Sequence, residues 1–178
     1  MSTLEWVVSV GGGLIAPFLL VTLIGCCLPR CHTAARSVVL MQAVQSIWES
    51  ITTFERIPGW WPACVMVERL PDRDGQAVYR QTFLQGRRQQ AMTIQVVESI
   101  APTRFATKIA DERGPFQGRW VYDLTRDGNG CKVTLTEHGE IKNPFIRTMY
   151  RLTMSKTQFI DSYLVSLGRK FGEQVTPA

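Results

Sequence analysis

The chain has 178 residues, 45% of them hydrophobic and 20% charged, a balance that suits a folded domain and excludes a disordered one. Formal net charge is +5; Glu5 is the only charged side chain before Arg30, so once it is set aside from the 15 acidic residues the remainder carries 20 basic against 14 acidic groups. That excess favours anionic surfaces, but there is no dense Lys/Arg run, no RNA-binding aromatic signature and no zinc-finger spacing, which excludes nucleic acid from the expected partners.

The N-terminal stretch from Trp6 to Leu28 holds 23 consecutive uncharged residues. As a helix it would rise about 34 Å, enough to cross a hydrocarbon core about 30 Å thick. Gly11, Gly12, Gly13 and Pro17 weaken a helix in water but are tolerated in lipid, and Trp6 and Arg30 suit the two interfaces. The expected organisation is therefore an anchor over residues 1–29 and one domain over 30–178. With Arg30 and Arg36 after the span and no basic side chain before it, the positive-inside rule predicts a single-pass protein with its domain in the cytoplasm. A second reading stays open: Leu23-Ile24-Gly25-Cys26 resembles a bacterial lipobox, which would make Cys26 a lipid attachment site, although the flanks lack the usual basic n-region. In a eukaryote the same cysteines are palmitoylation candidates.

Five cysteines are too few and too odd in number for a disulfide framework. Cys27-x3-Cys31-His32 lacks a second ligand pair, so no metal is expected. No P-loop or dinucleotide fingerprint is present either, and no cofactor is expected.

Further along, Arg36–Met41 reads as a first strand, and Val44, Ile47, Trp48 and Ile51 give Ala43–Thr53 helical spacing. Pro58, Gly59 and Pro62 make Phe54–Pro62 a turn-rich connection. Six strand-like runs follow: Cys64–Leu70, Ala77–Leu84, Ala91–Ile100, Arg104–Ala110, Phe116–Leu124 and Cys131–His138. They are separated by short turn sequences such as Asp127-Gly128-Asn129-Gly130 and so pair antiparallel. Asn143-Pro144 then caps a long helix whose Phe145, Met149, Leu152, Phe159, Ile160, Tyr163, Leu167 and Phe171 share one face, with a bend near Thr153–Ser155. This order predicts an α+β fold, an antiparallel curved sheet of about seven strands wrapped around a long C-terminal helix.

From about Pro29 to Phe171 the residues resemble the SRPBCC superfamily, the helix-grip fold of START domains, plant pollen allergens and polyketide cyclase-like proteins. The resemblance rests on Arg36-Ser37-Val38-Val39-Leu40, the Val44–Trp48 helix, Phe54-Glu55 with Pro58-Gly59-Trp60-Trp61-Pro62, Gly118-Arg119-Trp120-Val121-Tyr122, and Val133–Gly139 ahead of Asn143-Pro144. It implies a cavity between sheet and helix that takes a lipid or other hydrophobic small molecule.

A tight turn at Asp127–Gly130 sets the last hairpin in register: Leu124 faces Val133, Tyr122 faces Leu135 and Trp120 faces Glu137. Glu137 is then a carboxylate on a core-facing position, which must be paired, protonated or wet, with Tyr122 diagonal to it as a hydrogen-bond donor. The alternative is an open rim in water. Together with Trp120, Met92, Phe159 and Tyr163, these residues form the expected ligand site. Lys156 lies on the apolar arc of the last helix, either facing an anionic headgroup or snorkelling from the edge. Of Trp60 and Trp61, one is expected at the mouth and one in the core. Arg119 and His138 are expected as an outer-face pair, and His32 as a juxtamembrane residue away from the site. Two further functions remain open: a cyclase-like enzyme using Glu137 and Tyr122 as acid and base, and a protein-interaction module with a filled interior.

Overall fold

A computed structural model describes residues 17–86, 88–111, 114–153, 155 and 157–178. Most of the expected membrane segment, up to Ala16, and Lys156 lie outside the described residues.

The chain is helical over residues 17–27 (α1) and then enters strand β1 (Cys31–Leu40), helix α2 (Val44–Thr52) and a 3-10 helix (Phe54–Gly59). Six strands follow: β2 (Cys64–Arg73), β3 (Gln76–Gln85), β4 (Arg88–Ile100), β5 (Arg104–Ile109), β6 (Phe116–Asp127) and β7 (Gly130–Ile141). Helices α3 (Pro144–Thr153) and α4 (Gln158–Lys170) close the fold. All seven strands form one antiparallel sheet in the order β1-β7-β6-β5-β4-β3-β2, so the first strand lies beside the last. Every predicted strand is present, and β1 begins five residues earlier than expected, at Cys31 rather than Arg36.

Local chemistry fixes the hairpins. Asp74 and Gly75 both adopt positive φ (53° and 72°), the type I′ geometry that matches strand twist. Register shifts at Cys64/Met66, Leu70/Arg73 and Val96/Glu98 add bulges, which increase twist and bend the sheet. The concave face so formed packs on α2 and α4; Leu40, Ile47, Leu124, Val133, Leu135, Ile160, Leu164 and Leu167 are buried at its centre.

The expected long helix is two helices. Asn143 caps α3 as predicted, its Oδ1 accepting the Ile146 N–H at 3.1 Å. The break follows a run in which Ser and Thr side chains compete for backbone partners: Thr153 Oγ1 donates to Met149 O at 2.7 Å, and Ser155 Oγ accepts the Thr157 N–H at 3.5 Å. The break divides the apolar arc. Ile160, Tyr163 and Leu167 of α4 are buried against the sheet, whereas Phe145 of α3 turns to Phe18 of α1 (ring centroids 4.8 Å) and Leu152 is 71% exposed.

α1 is docked along α3. Thr148 Oγ1 donates to Val21 O at 2.9 Å, and a Cβ at Gly25 would lie 1.9 Å from Pro144 O, so only glycine permits the approach. No helix among the described residues is long and apolar enough to cross a membrane, so the predicted span gains no support from them.

After α4 the chain returns to β1. Glu173 accepts the Met41 N–H at 2.9 Å, Val175 packs on Gly168, and Ala178 exchanges two backbone hydrogen bonds of 3.0 Å with Ser37. The tail thus covers part of a sheet edge that would otherwise present unpaired groups.

Candidate functional site

The hairpin β6–β7 has the register derived from the sequence: Leu124 opposes Val133, Tyr122 opposes Leu135 and Trp120 opposes Glu137. Side chains of one parity on these strands therefore share the concave face. Glu137 sits there with its side chain 18% exposed, and its neighbour across β1 is Ala34. One alternation earlier on β1, His32 points to the same face, placing Nε2 at 3.6 Å from Glu137 Oε1. The expectation that His32 stands apart near a membrane is thus corrected.

His32 fits because its cross-strand partner is Gly139; a Cβ there would lie 2.2 Å from the imidazole Cε1. Tyr150 of α3 covers the pair, its ring centroid 5.9 Å from that of His32. Beside them Pro29, Arg30, His32, Ile141, Arg147, Tyr150 and Arg151 line a hollow of about 10 Å³, room for about one water. Burial pushes the Glu137 carboxyl above the usual carboxylate range, and the His32 ring and the Trp120 indole draw it part of the way back. Burial also raises the Tyr150 phenol, with the Glu137 charge adding to it.

From this polar end an aromatic cluster runs inward. Trp61, 2% exposed, touches Phe83, Phe159 and Tyr163 with ring centroids 5.4, 5.0 and 4.9 Å apart. Trp120 meets Phe159 at 5.5 Å and Tyr163 at 5.7 Å, both edge-to-face, the arrangement that aromatic quadrupoles favour. The rings occupy the space between sheet and α4 where a ligand cavity was expected. Trp120, Phe159 and Met92 are only half-buried, so part of this wall is open.

The remaining expected residues divide. Trp61 is the core anchor and Trp60 is the half-buried partner, edge-on to Tyr163 at 5.1 Å with Lys170 Nζ 5.8 Å from its ring. Tyr122 does not serve as Glu137's donor: it is buried beside Tyr163, ring centroids 5.6 Å apart, and burial raises both phenols well above their ordinary values. Trp120, directly opposite Glu137, takes the place expected of Tyr122. Arg119 and His138 are cross-strand neighbours as predicted, and each has a further partner. Arg119 Nη2 meets Glu98 Oε2 at 2.6 Å, in a network with Arg104 and Asp123, and His138 Nδ1 meets Thr33 Oγ1 at 3.2 Å.

His32, Tyr150 and Arg147 escaped the sequence reading. Ala34, Val38 and Leu40 carry an inward alternation that reaches back to His32, and Gly139 marks a close approach in a strand. Nothing local identified Arg147, because its partners come from α1 and the end of β7.

The fold is shared with solved structures at low sequence identity. The ginseng (Panax ginseng) major latex-like protein 151 superposes with a TM-score of 0.63 at 12% identity, over 80% of this chain and 96% of that one. The Zhui aromatase/cyclase from Streptomyces gives 0.64 at 13% identity, over 78% and 93%. A norcoclaurine synthase point mutant from Thalictrum, in complex with a transition-state analogue, gives 0.62 at 10% identity, over 79% and 93%. A comparison with curated protein sequences finds no significant match. Residues 32–158, which carry the sheet from the second residue of β1 onward, with α2 and α3 and up to the start of α4, match one family, and the chain belongs to it: polyketide cyclase / dehydrase and lipid transport.

Proposed function

We propose that the domain binds a hydrophobic, aromatic or isoprenoid-like small molecule against the open edges of Trp120, Phe159 and Met92, with one polar group of the ligand directed to Glu137 and His32. The observation that carries this reading is the wall itself: half-buried aromatic surface that ends at a half-buried carboxylate–imidazole pair. Small-molecule sites have this make-up, apolar walls with few convergent polar groups. The inner rings of Trp61 and Tyr163 back this wall beneath α4. Titration of the protein with an apolar naphthalene probe, followed by tryptophan quenching, tests it. Trp120→Ala should weaken binding about tenfold through the lost aromatic contact; equal affinity for parent and variant contradicts the proposal.

The chain is further proposed to be membrane-anchored by Trp6–Leu28, with the domain on the cytoplasmic side, so that the site lies beside a reservoir of poorly soluble ligand. Lipid attachment at Cys26, which is exposed near the end of α1, is the alternative anchor.

A cyclase-like activity is the second reading, favoured by His32 Nε2, which has no hydrogen-bond partner, lying 3.6 Å from Glu137 Oε1, so that a small closure would bring a carboxylate and an imidazole within proton-transfer reach. Under it, Glu137→Gln or His32→Gln abolishes turnover of an aromatic polyketide-like substrate while leaving binding within a few-fold. Under simple binding, affinity alone changes.

A further inference from the structure

Arg147 is 4% exposed, yet its guanidinium makes five hydrogen bonds, all to main-chain carbonyls. Nε and Nη2 donate to Ile141 O at 2.9 and 2.8 Å, and Nη2 also donates to Lys142 O at 3.1 Å. Nη1 donates to Gly25 O at 2.7 Å and Leu28 O at 2.9 Å. One cation therefore caps the C-terminal end of α1, where unpaired carbonyls concentrate negative potential, and joins it to the end of β7. With Gly25 seated against Pro144 and Thr148 bonded to Val21, α1 is held in a fixed direction relative to the domain.

The side of α1 turned away from α3 is apolar. Leu19, Leu20, Leu23 and Ile24 are each at least 45% exposed, Phe18, at the border where it meets Phe145, is 53% exposed, and Leu152, on the α3 face that carries Phe145 and Thr148, is 71% exposed. Contiguous apolar surface of this kind on a folded protein marks an interaction site. Its partner is indicated by the flanks: the uncharged stretch runs on to the N-terminal side, and Arg30 and Arg151, both exposed, meet at the polar hollow by the end of α1.

We infer that α1 and α3 together form a rigid face that docks on an anionic lipid bilayer, with Arg147 as the latch that fixes its direction. Arg30 and Arg151 stand at the headgroup level, which places the mouth of the Glu137–His32 site there as well. This rests on the membrane part of the proposed function and adds to it a defined orientation in place of a loose tether.

The test uses the full chain reconstituted into phosphatidylcholine vesicles with or without phosphatidylglycerol. Cys26, Cys27 and Cys31 are replaced by Ser, and a fluorescent label is placed at Leu152→Cys or, as a distant reference, at Asn129→Cys in the β6–β7 turn at the other end of β7. Quenching by a nitroxide on the lipid headgroups should be several-fold stronger at 152 than at 129, and stronger with phosphatidylglycerol. Changing Arg30 and Arg151 to Gln should reduce the phosphatidylglycerol effect by roughly fivefold per arginine. Arg147→Ala, and independently Gly25→Leu, which separates α1 from α3 without touching the core, should bring quenching at 152 down to the level at 129. Protein that floats with vesicles but quenches equally at both positions, or is indifferent to both latch variants, overturns the docked face while leaving the anchor standing. Protein that does not float overturns the docked face together with the Trp6–Leu28 anchor, and probe binding on the same preparation reports separately on the ligand site.

Discussion

Glu137 and its neighbours set what the site can do, and each makes a distinct prediction. The Glu137 proton is held more tightly in the folded chain than in the unfolded one, because burial disfavours the charge. Between the ordinary carboxylate range and the raised folded value, the folded state binds the extra proton, so stability falls as pH rises through that window and is level above it. Glu137→Gln removes this slope. Urea denaturation across pH 4 to 8 (a window spanning roughly the carboxylate and imidazole ranges) should show the variant gaining on the parent as pH rises, and parallel curves would contradict the buried carboxylate. Gly139→Ala tests the packing of His32 instead. Its Cβ would lie 2.2 to 3.0 Å from three atoms of the imidazole ring, which must move; the expected cost is about 1–3 kcal/mol. The Glu137 titration should shift upward as His32 leaves, which NMR of the labelled carboxyl can read. The sequence disclosed Glu137 and Trp120 through a two-residue turn and strict alternation, since a hairpin register is local information. It hid His32, because that residue joins the site through β1–β7 pairing across more than a hundred positions.

Among the elements, the C-terminal helix shows how far a pattern reaches. Phe145 through Phe171 share a helical face in the sequence, and a single apolar arc has one natural partner, the sheet. The Ser/Thr-rich break splits the arc, and α1 supplies a second partner that periodicity could not reveal. What joins α1 to α3 is polar at its centre. Arg147→Ala removes the charged donor from the carbonyls of Leu28 and buried Ile141, and takes one of two donors from Gly25 O, which keeps the Leu28 N–H. The loss should exceed about 3 kcal/mol, given the desolvation cost of each unmet group, and appear as a lower urea midpoint. A change under about 1 kcal/mol would mean that water replaces the guanidinium at little cost. The 3-10 helix positions Trp61 at the centre of the aromatic cluster, so Trp61→Ala should cost about 3–5 kcal/mol by the same measurement. Trp120→Ala, half-exposed, should cost less, and the order of the two is itself a check on which tryptophan is structural.

For the molecule as a whole, the sheet is an open, curved layer with β1 and β2 at its edges, and the tail returning to Ser37 covers part of the β1 edge. A layer of helix on one concave face then has a protected side and an open end, and the open end is where Trp120, Phe159, Glu137 and His32 come together with α3. The overall architecture was legible from seven alternating runs with turn chemistry between them. The packing of Trp61, Phe83, Trp120, Phe159 and Tyr163 beneath α4 was not, because ring volumes and rotamers from several elements decide how much room a helix-grip core leaves. The central claim is that this open end holds a hydrophobic molecule. Native mass spectrometry of the full chain, extracted from membranes in mild detergent, tests it most directly. A discrete apolar adduct on the parent protein that is lost from Trp120→Ala is the expected result, and a bare polypeptide mass for both, even after incubation with lipid extract, would contradict it.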